Sequence, residues 1–217
     1  MTTRICLIVS AVLWVALLPQ AALAESMAFK LIPTYSRATF KADAPLETIV
    51  GTTAGEGVTG TLTVDPAKPQ GATGTVKVDL STLSSGVTKR DEDMRGEKYL
   101  DTANPANRYA VFEVKNVEVA GALEPGKETP AKVTGNLTIK GKSVQVTSDA
   151  RVTYIKLTTD QLEKDNQKRF GFTTDNIKVR ATFATTLSNH GIPIPQLLIL
   201  KLSNDLQLET DLTFTRQ

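Results

Sequence analysis

Few residues in this sequence could do chemistry, and their spacing gives catalysis little footing. His190 is the sole histidine. One imidazole cannot build the multi-histidine site usual for catalytic zinc, and a general base needs a positioned partner. Gly191 and Pro193 beside it predict an exposed turn position. Gly121-Ala122-Leu123-Glu124-Pro125-Gly126-Lys127 has the glycine-to-lysine spacing of a phosphate loop. Glu128 follows where Ser or Thr would hold magnesium, and Glu124 would repel phosphate, so a plain β-turn loop is expected. Asp91-Glu92-Asp93 with Gly96 has the outline of a calcium loop. Arg95 takes a ligand position and Thr102 the place of the terminal Glu, which fits a solvated helix face better. Asn136-Leu137-Thr138 is a glycosylation sequon by form, but lies in a strand-like stretch. No G-x-S-x-G nucleophile elbow is present.

The only cysteine, Cys6, sits in an N-terminal segment of distinct character. Arg4 supplies a positive start, residues 5–18 are almost wholly apolar, and Ala22-Leu23-Ala24 gives the small-x-small pattern of a cleavage site. This reads as a secretory signal peptide over residues 1–24, cleaved near Ala24, with one domain over 25–217. The apolar run is shorter than the roughly 20 residues that span a bilayer, so no stable membrane anchor is expected. The chain left after cleavage has no cysteine, which excludes disulfides, cysteine-ligated zinc and a thiol nucleophile. Its stability must come from an apolar core. Lys and Arg number 25 against 23 Asp and Glu. That near balance gives no electrostatic case for nucleic acid.

The elements that would position any site are strands. Period-two alternation places Ala38, Phe40 and Ala42 on one face. The same holds for Val58, Gly60, Leu62 and Val64; for Val76, Val78 and Leu80; and for Ala110, Phe112 and Val114. It continues with Val133, Gly135, Leu137 and Ile139; with Val144, Val146, Ser148, Ala150 and Val152; with Ile177, Val179, Ala181 and Phe183; and with Leu206, Leu208, Leu212 and Phe214. Residues 46–53 are a weaker candidate, making eight or nine strands. Gly141 marks a tight hairpin. The charge-rich stretch 160–169 predicts a solvated hairpin tip. Residues 80–101 break the alternation. There the charges of Lys89 to Arg95 predict a short helix near residues 88–98. Half-buried strands of this kind close into a barrel or stack as a sandwich. Eight strands in a barrel enclose either packed side chains or one small ligand, and alternation does not choose between them.

Several stretches, in order, resemble the YceI-like family of periplasmic lipid-binding proteins. Gly57 to Pro66 looks like its early glycine-strand-Asp-Pro segment. Leu83-Ser84-Ser85-Gly86 with Lys89 to Arg95 looks like its helix signature. Tyr99-Leu100-Asp101 followed by Tyr109-Ala110-Val111-Phe112 is similar to the family's lead into a central strand, and Val133 to Gly141 to its V-x-G-D-L-T-I-x-G hairpin. Asn136 stands where the family usually has Asp.

The resemblance implies a mostly β fold, an eight-stranded antiparallel lipocalin-like barrel with a short helix closing one end. It also implies a long isoprenoid chain inside, of quinone or polyprenyl type, carried without catalysis and without a required cofactor or metal. An apolar lipid is then the expected partner. Phe40, Leu62, Val78, Phe112, Val114, Leu137, Val146, Phe183, Leu208 and Phe214 are the candidates to line the cavity, and each is equally at home in a filled core. A hydrolase or isomerase acting on such a lipid, or a solid-core interaction domain, are the rival readings. Asp79 and Glu113 fall on outward faces, which disfavours the first.

Overall fold

The computed structural model describes residues 26–164, 166–197 and 200–217. The expected signal peptide lies outside the described residues. The strands are β1 (Met27–Leu31), β2 (Arg37–Ala44), β3 (Glu47–Thr53), β4 (Val58–Val64), β5 (Thr73–Asp79), β6 (Leu83–Ser84) and β7 (Tyr109–Val119). They continue with β8 (Glu128–Ile139), β9 (Lys142–Lys156), β10 (Asp175–Thr186), a small hairpin of β11 (Gln196–Leu197) and β12 (Leu200–Lys201), and β13 (Asp205–Arg216). Two helices, α1 (Thr88–Arg95) and α2 (Thr159–Lys164), lie in the connections.

The main sheet is antiparallel and closes on itself through β1 and β13. Three of its staves are broken strands. One edge of β13 pairs with β1 at its C-terminal half, Leu31 opposite Phe214, and with β2 at its N-terminal half, Arg37 opposite Asp211. The break between them is a 3₁₀ turn at Pro33–Tyr35, where proline has no N–H for a ladder. β3 and β4 form the next stave, β5 and β6 the third. Asp79 turns the chain between β5 and β6 by accepting from the Ser81 amide at 3.0 Å. Counted by staves, the barrel has eight antiparallel strands in up-and-down order, as the resemblance implies.

Lys140 and Gly141 both take positive φ, 48° and 71°, between β8 and β9. These are the dihedrals of a primed two-residue hairpin, and they fix the register of the sheet's longest pair. A bulge between Val114 and Asn116 re-phases β7, so that Val117 and Val119 join Ala110, Phe112 and Val114 on the inner wall.

Helix α1 falls within the predicted 88–98 and stops at Gly96. The 160–169 stretch is the exposed tip of the β9–β10 hairpin, as expected, but its conformation is helical, with α2 followed by a 3₁₀ turn at Gln167–Phe170. The cause is a capping box. Gln161 N–H donates to Thr158 Oγ1 at 3.2 Å, and Thr158 N–H donates to Gln161 Oε1 at 2.8 Å.

Two apolar clusters pack toward the two ends of the barrel. Phe29, Leu31, Leu123, Tyr154, Ile177, Leu212 and Phe214 pack where β1 begins, β13 ends and the β4–β5, β7–β8 and β9–β10 connections meet. Leu80, Leu83, Leu100, Leu137, Ile139, Val146, Leu187 and Ile192 pack at the opposite end, near α1.

Candidate ligand-binding site

Between the two clusters the barrel is hollow, with a cavity of about 860 Å³. The strand register explains the space. Ala38 on β2 pairs with Thr210 on β13, Thr210 with Ala181 on β10, Ala181 with Ala150 on β9, and Ala150 with Ala131 on β8. One row of four alanines and a threonine thus crosses five neighbouring strands. On one side of it lie Val152, Val179 and Leu212, and on the other Phe40, Leu208 and Phe183. Large side chains above and below a small-residue belt leave a void that eight strands alone would not guarantee.

Two rings are folded back against the wall rather than across the void. The Phe40 ring covers Gly51, and the Phe112 ring covers Gly135, where a Cβ would fall 2.3 Å and 2.4 Å from ring atoms. Phe112 also meets Phe183, with centroids 5.9 Å apart. Glycine at 51 and 135 is what allows these rings to lie flat.

The cavity is shut at the end where β1 begins and β13 ends, where Val64, Pro69, Ala72 and Leu123 line it and are all buried. At the α1 end it reaches Leu46, 82% exposed, and Val87, 46% exposed. That end is its mouth. Charges touching the cavity are Glu47, Lys89, Arg90, Asp93, Lys201 and Glu209. Five of the six are paired: Arg90 with Glu47 at 3.1 Å, Lys89 with Asp93 at 2.8 Å, and Glu209 with Lys41, outside the lining, at 2.5 Å. The walls between offer hydrocarbon, aromatic rings and a few hydroxyls, the lining an apolar guest requires.

Helix α1 is pinned at this mouth. Arg90 binds Glu47 on the β2–β3 hairpin, and the buried Asp91 accepts from the Ser84 hydroxyl at 2.7 Å, the Ser85 amide at 2.7 Å and the Ser85 hydroxyl at 2.6 Å. Burial works to raise the Asp91 pKa, but these three donors and the charge of Arg95 hold it below the ordinary carboxylate value. The Asp91-Glu92-Asp93 run is therefore structural. Among the described residues no group of acidic, His or Cys side chains is placed to hold a metal.

Of the ten candidate lining residues, Phe40, Leu62, Val78, Phe112, Val114, Leu137, Phe183, Leu208 and Phe214 touch the cavity. Val146 does not; it is buried in the cluster at the α1 end. The alanine belt is not legible in the sequence, because its residues are small and align only once the register is known. His190 differs from expectation. It stands in a turn, as expected, yet is 1% exposed. Its Nδ1 lies 3.0 Å from the Lys142 carbonyl oxygen and its Nε2 2.9 Å from Thr185 Oγ1. A carbonyl only accepts, so Nδ1 carries the proton and Nε2 accepts from the threonine hydroxyl. Burial holds the imidazole pKa below its ordinary value, against the smaller effect of the Lys142 bond. With both nitrogens engaged and no share in the cavity wall, His190 fastens the β10–β13 connection to β9.

The fold and the cavity define a closed, lipocalin-like barrel with an apolar interior. The YceI-like domain matches residues 29–214, and the chain belongs to that family. Solved structures share the fold at low sequence identity. BcnA of Burkholderia cenocepacia is 16% identical with a TM-score of 0.59, over 82% of this chain and 95% of that one. A polyisoprenoid-binding domain from Saccharophagus degradans, implicated in plant cell wall breakdown, is 13% identical with a TM-score of 0.61, over 88% and 99%. The YCEI protein of Campylobacter jejuni is 16% identical with a TM-score of 0.59, over 79% and 86%. No curated protein matches the sequence.

Proposed function

We propose that this chain is an exported, non-catalytic carrier or store for a long apolar lipid, an isoprenoid of quinone or polyprenyl type, held inside the barrel. The observation that carries the reading is the cavity: about 860 Å³, closed at one end, with charge confined to the mouth and outer wall. Burying hydrocarbon there contributes about 0.8 kcal/mol per CH₂ before ordering costs. The polyisoprenoid-binding domain of Saccharophagus degradans, which shares the fold, supports the same ligand class. Signal-like residues 1–24 support export, with a working protein of one domain over 25–217 in the periplasm or outside the cell. Among the described residues no helix is long and apolar enough to cross a membrane.

Catalysis on such a lipid finds no support in the cavity. Among the described residues its acids lie at the mouth or on the outer wall, no acid, histidine or lysine faces its interior, and His190 is committed elsewhere. The hollow also disfavours a solid-core interaction domain. Native mass spectrometry of the protein purified from its own host tests the reading. A bound mass matching an isoprenoid lipid, on a chain beginning near residue 25, is expected. Protein consistently free of lipid overturns it.

A further inference from the structure

We infer that the cavity is built for a lipid bearing an uncharged oxygen group in mid-barrel, and that Ser148 and Thr210 are the hydroxyls that hold it. The inference rests on the lipid reading above. Ser148 on β9 and Thr210 on β13 both line the cavity, with β10 between them. Thr210 belongs to the small-residue belt, and Ser148 stands one inward position beyond Ala150 toward the α1 end. Ser148 is 2% exposed. Its hydroxyl has one contact, the carbonyl oxygen of Asp149 at 3.5 Å, the outer limit for a hydrogen bond. Among the described residues the Thr210 hydroxyl has no hydrogen-bond partner.

Other buried hydroxyls are treated differently. Ser36 donates to the Ile32 carbonyl at 2.9 Å and accepts from the Thr213 amide at 3.0 Å. Thr185 is bonded to His190 at 2.9 Å. Thr129, buried and also without a side-chain partner, does not touch the cavity. An alanine and a valine would complete the apolar wall where the buried Ser148 and the half-buried Thr210 stand, and a hydroxyl turned into an apolar cavity without a bond is unfavourable. The two hydroxyls make sense when a ligand oxygen completes them.

The surroundings also fix the charge of that oxygen group. The cations that touch the cavity are Lys89, Arg90 and Lys201, all in the connections at the mouth. A phosphate beside Ser148 would be an uncompensated buried anion. A carbonyl, ether or alcohol oxygen needs only the hydrogen bond. β9 and β13 flank β10, so the hydroxyl-bearing strands are roughly 10 Å apart along the wall. Each therefore reaches a different side of one ligand group.

The test is competition against an environment-sensitive apolar dye, with three probes sharing one tail: geranylgeraniol, its monophosphate and the corresponding hydrocarbon. In the parent the alcohol is expected to compete at least about tenfold better than the other two. In Ser148→Ala/Thr210→Val the three are expected to fall within about threefold of each other, with a urea midpoint for the ligand-free protein that holds or rises. A fall in that midpoint would show the hydroxyls to be structural and overturn the inference. So would equal competition by all three probes in the parent, or a preference that survives the double substitution. Failure of every probe to displace the dye from the parent overturns the lipid reading itself, and this inference with it.

Discussion

Phe40 rests its ring on Gly51, its direct partner across the β2–β3 pair, so closely that a Cβ there would lie 2.3 Å from the ring edge. The ring is a wall of the cavity only because position 51 has no side chain. Gly51→Ala must push Phe40 off the sheet and into the hollow. We expect a loss of about 1–3 kcal/mol, read as a lower urea midpoint at unchanged slope. Dye uptake should weaken with it. An unaltered midpoint would mean that the ring is free to move at no cost.

The alanine belt predicts the opposite balance. Ala181 sits between Thr210 and Ala150 in the belt and touches the cavity. In Ala181→Phe the new ring has space to enter. Binding of an apolar dye should fall at least tenfold, about 1.4 kcal/mol, while the urea midpoint holds or rises. A filled barrel would give the reverse, an overpacking loss of about 1–3 kcal/mol. The two measurements together separate a hollow interior from a packed one.

These two sites show what the sequence could and could not reveal. The inward faces were legible, because period-two alternation follows from strand geometry alone. The hairpin at Gly141 and helix α1 announced themselves through turn chemistry and charge spacing. The alignment of Ala38, Thr210, Ala181, Ala150 and Ala131 was not legible. It depends on register across five strands, and each alanine alone looks like filler. Re-phasing at the β7 bulge was hidden for the same reason. His190 looked exposed because turns usually are, and its partners come from β9 and β10, 48 and 5 residues away.

His190 gives stability a pH dependence. Its folded pKa lies below the unfolded value of 6.5 because burial disfavours the imidazolium. Above pH 6.5 both states are neutral and the ring's full contribution is present. As pH falls from 6.5 toward the folded value, the unfolded chain takes up the proton first and stability drops. Urea midpoints between pH 5 and 7.5 should therefore decline on the acid side, and the decline should flatten in His190→Gln. An identical decline in both proteins would assign it to other groups.

At the closed end, Tyr154 donates its hydroxyl proton to Asp175, and both are buried. Thr174 also donates to this carboxylate, at 2.9 Å, and Arg216 lies 3.5 Å away. Burial, and then the hydrogen bond and charge of Asp175, push the Tyr154 pKa up to about 12. Burial works to raise Asp175, but the bonds from Tyr154, Thr174 and Arg216 outweigh it and hold its pKa below 3.8. Its contribution is thus present above pH 3.8 and lost as pH falls through the folded value. Tyr154→Phe removes one donor and leaves the buried carboxylate short of a partner. A loss of about 1–3 kcal/mol at neutral pH is expected, with a shallower fall on acidification because Asp175 is then less depressed. In an ultraviolet titration the tyrosinate step at about 12 should vanish in the variant. A step that survives would assign the high pKa to another of the four tyrosines.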